Sequence, residues 1–392
     1  MKNIPEYNID FYSDSFIKNP YPHYAKMRSL GPIVFLPKLN NYAITQYHFL
    51  KQALLDYKRF SSANGVAGDE IGSKFLKGNI VASDPPIHKT MRKVMMPPLM
   101  PKNLKSITPV IKKEAKDLIV KLLIKKQFDA VEDLAQFLPL TIVRDLVGLK
   151  GLAKENMLIW AAASFNILGK QNKRGKEGIK AIKELRKFIS TQLKLNKVKQ
   201  GSWIDRILKM SNSNEVDVNI ANYLIRDYIN PSLDTTISAI SHLIFLLARN
   251  NSEWKKLQNK PNLTKNAVNE AIRIGSPIRS FSRFTKEKVK IDNYIIPKNS
   301  RVMMLFASAN RDELVFENPN SFNISREFID HLGFGYGIHS CVGMHLAQIE
   351  MISILEAMIP RVKKIDIGEP KVLMNNTICG FSKLPTTLIP LN

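Results

Sequence analysis

The stretch His331-Leu-Gly-Phe-Gly-Tyr-Gly-Ile-His-Ser-Cys-Val-Gly-Met-His-Leu-Ala347 is the most informative part of this 392-residue chain. Four glycines surround its single cysteine, Cys341; they are Gly333, Gly335, Gly337 and Gly343. Glycines permit a tight backbone path past a large flat group and leave backbone N–H groups close to the sulfur. The helical pattern that follows Gly343 points its positive end at the sulfur and favours a thiolate. On these residues alone, both a ligand-binding thiolate and a cysteine buried in a structural turn remain open.

The spacing Phe334-Gly-x-Gly-x-His339-x-Cys341-x-Gly343 resembles the haem-binding signature of the cytochrome P450 family. The resemblance implies that Cys341 is the metal ligand, binding the iron of haem b and donating electron density that favours O–O cleavage. It also implies that His339 faces a haem propionate, that Phe334 packs near the sulfur, and that Gly343 lets helix and haem approach closely. The fold expected from the resemblance is mainly α-helical with small β-sheets that enclose haem b.

Two further motifs match the same family. Glu270-Ala-Ile-Arg273 places an acid and a base three residues apart on one helix face. The resemblance implies that this pair joins a third residue, Arg326, and holds the loop before Cys341 in place. His88 and Arg92 lie four residues apart on a helix that follows two prolines, and two cations on one face need an anion. By resemblance the anion is a haem propionate, with Arg283 as a third partner.

The stretch Pro231-Ser-Leu-Asp-Thr235 lies inside a long helical pattern from 216 to 250. Pro231 cannot donate a hydrogen bond to the carbonyl of Asp227, so we expect a kink there and a free carbonyl. The resemblance implies that Asp234 and Thr235 are catalytic and relay protons for oxygen activation. Pro231 and Ser232 stand where the family commonly has Ala and Gly. This variant looks like that of bacterial members which oxidise small aromatic acids.

Candidate substrate-pocket residues follow from the resemblance, and apolar lining is typical of small-molecule sites. They are Val66, Phe75, Leu233, Ile278, Arg279, Phe281 and Phe381. Arg279 is a hypothetical anchor for a substrate carboxylate, with a surface arginine or a propionate contact as the alternative. Val66 and Phe75 lie in the glycine-rich stretch 61–79, which reads as a mobile lid loop.

Composition supports a globular protein and limits the other interpretations. The chain is 44% hydrophobic and 23% charged, and no repeat or linker asks for division, so we expect one domain over 1–392. Two cysteines exclude a disulfide framework, and a polar N-terminus without a signal-peptide core predicts a cytoplasmic protein. The net charge of +24 permits an acidic protein partner, a membrane surface or nucleic acid. No recognition helix or RNA-binding pattern accompanies the lysines of 170–199, which fit a solvated face of an amphipathic helix.

The expected activity is O2-dependent hydroxylation or O-demethylation of a small hydrophobic or aromatic molecule, an aromatic acid being one case. Two electrons must come from another protein, and an acidic ferredoxin suits a chain with this positive charge. We expect a monomer without membrane or nucleic-acid partners. The alternatives are an oxidase that couples aromatic rings, a peroxide-driven peroxygenase and a non-catalytic haem sensor. Asp234 and Thr235 argue against the last two alternatives, because neither a peroxygenase nor a sensor needs protons delivered for the reduction of O2.

Overall fold

Helices dominate the molecule, whose computed structural model describes residues 2–229, 231–327 and 330–391. The apolar periodicity of residues 154–168 predicts a helix, and the structure has a helix with those bounds. The helices of the described residues are α1 (Asp14–Lys18), α2 (Tyr21–Leu30), α3 (Tyr47–Leu55), α4 (Glu70–Leu76), α5 (Ile87–Met95), α6 (Pro101–Leu104), α7 (Thr108–Lys125), α8 (Arg144–Val147), α9 (Lys154–Leu168), α10 (Lys173–Lys194), α11 (Trp203–Asn212), α12 (Val218–Ile229), α13 (Asp234–Arg249), α14 (Asn251–Asn259), α15 (Thr264–Gly275), α16 (Phe306–Ala309) and α17 (Met344–Met358).

Small sheets lie against this helical body. The largest has the strand order β1-β2-β8-β5-β3, and a second has the order β4-β12-β9. The strands of the described residues are β1 (Ile33–Leu36), β2 (Asn41–Ile44), β3 (Phe60–Ser61), β4 (Gln127–Asp129), β5 (Phe281–Thr285), β6 (Val289–Ile291), β7 (Tyr294–Ile296), β8 (Arg301–Met304), β9 (Val362–Ile367), β10 (Lys371–Val372), β11 (Phe381–Lys383) and β12 (Pro385–Pro390). The sequence of residues 31–45 predicts a hairpin with its turn at Asn40-Asn41; the β1-β2 pair is this hairpin, and Asn40 adopts φ 53° at the turn.

The pattern from 216 to 250 forms two helices, not the single kinked helix that we predicted. Helix α12 ends at Ile229 and α13 begins at Asp234, with Pro231 between them. Pro231 supplies no N–H, and the hydroxyl of Ser232 donates instead to the carbonyl of Tyr228, so the helical ladder stops here. Helix α13 is buried along most of its length and forms the centre of the core.

The combined stretch 218–249 is also long and apolar enough to span a membrane, and it is the one such stretch in the described part of the chain. However, 72% of its apolar window is buried by protein. Burial of that extent is typical of a core helix, whose apolar faces pack against neighbouring helices rather than lipid.

Two other predictions need correction. The expected lid loop contains helix α4, which begins where the side chain of Asp69 accepts a hydrogen bond from the backbone N–H of Gly72 at 2.8 Å. This N-cap stabilises the first turn of a helix in a segment whose glycine content favours a loop. The apolar pattern of residues 131–146 predicts a regular α-helix, but this segment consists of wide π-helical turns over Ala130–Ala135 and Pro139–Val143, followed by α8.

Candidate active site

The loop before α17 brings Cys341 back beneath its own glycines. The backbone N–H of Cys341 donates to the carbonyl of Phe334 at 2.8 Å. Gly335 and Gly337 take φ values of +69° and +71°, which side-chain-bearing residues rarely adopt. At Gly337 a Cβ atom would also lie 2.6 Å from the carbonyl oxygen of Leu54. The glycines of the signature are therefore required by the path of the backbone.

The thiol of Cys341 faces an internal cavity from this loop. Its side chain is accessible from the cavity, while protein atoms surround it on the other sides. Burial raises the pKa of the Cys341 thiol, and the backbone N–H groups of Gly343 and Met344 and the charge of Arg92 oppose that rise. The N-terminus of α17 thus offers hydrogen bonds to the sulfur, as the sequence predicted.

The cavity lies between the Cys341 loop with α17 on one side and α13 on the other. All seven residues predicted to bind the cofactor line it, namely His88, Arg92, Arg283, Phe334, His339, Cys341 and Gly343. Helix α13 contributes Thr235, Thr236 and Ala239. The remaining walls are largely apolar and include Phe165, Leu168, Trp203, Ile278 and Phe281.

Basic side chains cluster at one edge of this cavity. The rings of His88 and His339 lie 4.2 Å apart, and neither Nε2 atom has a hydrogen-bond partner among the described residues. Burial lowers the pKa of His88 to about 4 and that of His339 to about 2, and the nearby arginines lower both further, so both rings are neutral at pH 7. Burial also lowers the pKa of Arg283 to about 10, the charge of Asp84 opposes this shift, and Arg283 Nη1 donates to the carbonyl of Ser282. Such a cluster favours an anionic ligand, because the arginines offer it positive charge and the imidazoles offer it hydrogen bonds.

The Cytochrome P450 family model matches residues 25–159 and 149–388, which is nearly the whole chain. The chain belongs to the cytochrome P450 family. It is 32% identical to cytochrome P450 CYP199A2 of Rhodopseudomonas palustris over 99% of this chain and 95% of that protein. It is 27% identical to linalool 8-monooxygenase of Pseudomonas putida over 98% of each chain. The family members are haem-thiolate monooxygenases, and this chain is a haem-b monooxygenase of the same kind.

Solved structures show the same fold at lower sequence identity. The haem domain of CYP116B5 from Acinetobacter radioresistens superimposes with a TM-score of 0.87 at 22% identity, covering 97% of both chains. P450BioI, solved in complex with an acyl carrier protein ligated to hexadec-9Z-enoic acid, gives a TM-score of 0.84 at 22% identity. That match covers 96% of this chain and 99% of P450BioI.

The residues around the cavity fit haem b in three respects. A cysteine sulfur faces the cavity, and backbone N–H groups are available to a thiolate. The cationic edge would suit two carboxylates, and the unpartnered Nε2 atoms of His88 and His339 are donors or acceptors awaiting a ligand. A Cβ at Gly343 would meet the Cys341 sulfur at 3.9 Å and no other atom within 4 Å, so the space in front of this residue is open.

The structure places Asp234 and Thr235 at the start of α13, but only Thr235 lines the cavity. Asp234 lies behind it, 8% exposed, and its Oδ2 has no hydrogen-bond partner. Burial raises the pKa of Asp234 to about 7. A carboxyl that titrates near neutrality can both release and recover a proton, as a relay requires.

Glu270, Arg273 and Arg326 meet in the buried region below the Cys341 loop. Arg273 donates to both carboxylate oxygens of Glu270, at 2.7 and 2.8 Å, and the two side chains have no exposed surface. Arg326 donates from Nε to Oε1 of Glu270 at 3.1 Å, and Arg273 also donates to the carbonyls of Asn310 and Pro319. The network ties α15 to the chain that leads into the loop.

The predicted substrate pocket is only partly supported by the geometry. Ile278 and Phe281 line the cavity, whereas four other predicted residues, all within the described chain, do not: Val66, Phe75, Leu233 and Phe381. Val66 and Leu233 have no exposed surface and belong to the core. Phe75 packs under the guanidinium of Arg186, and Phe381 packs against the rings of His242 and Phe245.

Arg279 does not reach the cavity as a carboxylate anchor, so that prediction is also wrong. Its guanidinium donates to the backbone carbonyls of Asn375, Asn376 and Ile378 at 2.7 to 3.3 Å. The side chain is 1% exposed and is committed to the C-terminal segment. The position of Arg279 near Arg283 in the sequence could not reveal this, because Arg279 precedes strand β5 and its partners lie about a hundred residues further along the chain.

Two buried acids that line the cavity escaped the sequence analysis. Glu350 of α17 is 1% exposed with Oε1 unpartnered, and burial raises its pKa to about 8. Asp227 of α12 accepts hydrogen bonds from Asn79 Nδ2 at 2.6 Å and from the Ile80 N–H at 2.7 Å. The available signal was a charged residue within an apolar helical run, since such residues are rarely buried without a reason.

Proposed function

We propose that this enzyme hydroxylates or O-demethylates a small hydrophobic or aromatic molecule with O2 and two electrons from an acidic ferredoxin. The observation that carries the proposal is the apolar cavity between the Cys341 sulfur and the Thr235 side of α13. Haem b bound there supplies O2 activation and oxygen insertion. Cys341 would be the thiolate ligand, and His88, Arg92, Arg283 and His339 would hold the propionates.

The protein residues around this group would control protons and water. Thr235 lines the cavity, and its Oγ1 donates to the carbonyl of Pro231 at 3.4 Å, a weak contact that leaves the hydroxyl free to turn. Asp234 directly precedes it, with an unpartnered Oδ2 and a pKa raised by burial to about 7. We assign to Asp234 the transfer of protons from the interior to the Thr235 hydroxyl. The apolar walls would exclude water from the substrate.

The lining favours a neutral substrate. Every basic side chain in the described lining belongs to the cationic edge: His88, Arg92, Arg283 and His339. With Arg279 committed elsewhere, no cation remains there for a substrate carboxylate. Linalool 8-monooxygenase, a relative by sequence, is named for a small hydrophobic alcohol. A small aromatic ether or a terpene-sized molecule suits this cavity better than an aromatic acid, the alternative that the Pro231–Ser232 variant suggests.

Matched ligands test this proposal in the purified haem-loaded enzyme. A substituted benzoic acid and its methyl ester differ in the charge that an anchor would recognise and in one added methyl group. We expect the ester to bind at least ten times more tightly than the acid, with the dissociation constants measured from the shift of the haem spin state. Tighter binding of the acid would restore the aromatic-acid assignment. Turnover with O2 and reductant, compared with hydrogen peroxide alone, separates the monooxygenase from a peroxygenase, and coupled products would indicate the oxidase.

The electron donor would dock on the face near Cys341. Helix α5 lies against this loop, since Arg92 donates to the carbonyl of Ser340 at 2.7 Å, and it exposes Lys89 and Lys93 to solvent. Opposite charges would make reduction by an acidic ferredoxin fall with ionic strength. Lys93→Glu should slow reduction at low salt, with Lys180→Glu as the control on α10. Salt-independent reduction would exclude this docking mode. We propose that the protein acts as one cytoplasmic domain and as a monomer.

A further inference from the structure

The second cysteine, Cys379, lies in a cluster of polar side chains outside the cavity lining. Its sulfur is 3.5 Å from the hydroxyl of Tyr21, and it forms a hydrogen bond with the imidazole of His242. The guanidinium of Arg311 stacks on the Tyr21 ring at 3.9 Å, and Arg279 contributes a further positive charge near the sulfur. A hydroxyl, an imidazole and the guanidinium of Arg279 therefore act on the sulfur, and Arg311 holds the Tyr21 ring beside it.

The orientation of His242 suits it to accept the thiol proton. Its Nδ1 lies 2.9 Å from the backbone carbonyl of Ser238, so this nitrogen carries the hydrogen. Nε2 is then the basic nitrogen of the ring and the one that can pair with the thiol. Burial alone would raise the pKa of Cys379, but the hydrogen bond and charge of His242, with the charge of Arg279, outweigh it and lower the pKa to about 6. The sulfur is then largely a thiolate at neutral pH.

Two buried donors that interact electrostatically with Cys379 have no acceptor among the described residues. The hydroxyl of Tyr24 has no hydrogen-bond partner there, and the Tyr24 side chain has no exposed surface. Nε of Arg279 is likewise unpartnered, in a side chain that is 1% exposed. Both groups interact electrostatically with Cys379. Unpartnered buried donors are uncommon and call for an explanation, and an oxygen atom attached to the sulfur would supply an acceptor.

Cys379 also stands directly behind the wall of the haem cavity. Its backbone N–H donates to the carbonyl of Pro277 at 2.9 Å, and Pro277 and Ile278 line the cavity. Its carbonyl accepts a hydrogen bond from the hydroxyl of Ser238 on α13. The Cys379 side chain is only partly buried. A molecule as small as hydrogen peroxide, released when O2 reduction is not coupled to substrate, would form within one layer of residues of this sulfur.

We propose that Cys379 is a peroxide-oxidised thiolate whose sulfenate oxygen is held by the Tyr24 hydroxyl and Arg279 Nε. In this step the thiol proton first passes to His242. The sulfur then attacks one oxygen of hydrogen peroxide, an S–O bond forms and the O–O bond breaks. Sulfur is oxidised by two electrons, the peroxide is reduced, and the leaving hydroxide takes the proton from His242 to become water. The net change is thiol plus peroxide to sulfenic acid plus water.

The experiment treats the haem-loaded enzyme with a few equivalents of hydrogen peroxide at pH 7 and pH 9, and catalase then removes the excess. The protein is denatured in dimedone, which traps sulfenic acids, and the peptides that contain residues 341 and 379 are measured by mass spectrometry. We expect the adduct on Cys379, forming at nearly the same rate at both pH values. A thiol of ordinary pKa near 8.5 would react about 25-fold faster at pH 9, from its thiolate fraction alone.

Variants separate the cluster from simple accessibility. His242→Gln should restore the rise in rate with pH, and Tyr24→Phe should shorten the lifetime of the sulfenic acid in favour of the sulfinic acid. Cys379→Ser serves as the blank, and the Soret band of each reduced carbon monoxide complex reports whether the haem pocket is intact. If Cys379 of the folded enzyme gives no dimedone adduct, while the same peroxide treatment of the unfolded protein does give one, the proposal is overturned. A rate of adduct formation in the wild-type enzyme that rises about 25-fold from pH 7 to pH 9, as for an ordinary thiol, would also overturn it.

Discussion

The imidazole rings of His88 and His339 lie 4.2 Å apart at an angle of 52°, although the residues are far apart in the chain. One belongs to α5 and the other to the turn before Cys341, so the contact joins two parts of the chain that frame the haem. Neither Nε2 has a hydrogen-bond partner in the described part of the chain. Burial of both rings side by side is favourable only when a hydrogen-bonding group faces them.

His88→Phe should weaken haem retention while leaving the fold intact, since a ring of similar shape replaces the lost hydrogen-bonding group. A charge-assisted hydrogen bond contributes about 1.5–3 kcal/mol, so haem should dissociate roughly 10- to 150-fold faster. Haem transfer to excess apomyoglobin measures this rate. His48→Phe, at an exposed histidine, is the control. Equal transfer rates for the two variants would remove His88 from the haem site.

Asp234→Asn should change the pH dependence of stability. The pKa of Asp234 is raised by burial to about 7, so between pH 4 and pH 7 the folded state holds a proton that the unfolded chain has released. The contribution of this carboxyl to the unfolding free energy should therefore fall as pH rises through this window and change no further above it. In the variant this component is absent, so its stability relative to the wild type should increase from pH 4 to pH 7.

Urea unfolding of the haem-loaded proteins at several pH values measures this effect, with the exposed Glu132→Gln as control. The same variant should consume O2 with more peroxide and less product, because the proton source beside Thr235 is lost. A parallel pair of pH curves for wild type and variant would contradict the raised pKa of Asp234.

Glu270→Gln should be strongly destabilising. It removes the only carboxylate that Arg273 contacts among the described residues, and Arg273 has no exposed surface. Removing one partner of a buried pair costs about 3–5 kcal/mol, because the other charge stays buried and uncompensated. Arg326→Gln should cost less, since its side chain keeps some contact with solvent. Denaturant unfolding of the haem-loaded proteins measures both, and an Arg326 variant as unstable as the Glu270 variant would contradict this order.

Gly337→Ala and Gly201→Ala form a matched pair. Both glycines have positive φ, at +71° and +76°, so both substitutions carry the backbone strain of about 1–2 kcal/mol that an L-residue incurs there. A Cβ at 201 meets nothing within 4 Å, whereas one at 337 would lie 2.6 Å from the Leu54 carbonyl. Only Gly337→Ala should displace the Cys341 loop. Thermal unfolding and the Soret band of the carbon monoxide complex measure the effect, and equal losses would exclude the steric explanation.

The sequence by itself determined the family and most helices, and it predicted Cys341 as the haem ligand, because these depend on local spacing. The glycines around Cys341 lie within a few residues of the sulfur, and the two basic residues of α5, His88 and Arg92, lie within one helical turn of each other. The pairing of Glu270 with Arg273 follows from the geometry of one helical turn. The meeting with Arg326 could be expected only through the resemblance.

Only the tertiary structure decided which side chains face the cavity. Val66, Phe75, Leu233 and Phe381 are apolar residues in plausible positions, yet packing between elements turns each of them away. Arg279 donates to carbonyls about a hundred residues further along the chain. Tyr21, His242 and Cys379 come from three segments that are distant in the sequence, and they meet only in the folded protein. Periodicity reports which face of an element is buried but not against what, so contacts of high sequence separation lie beyond it.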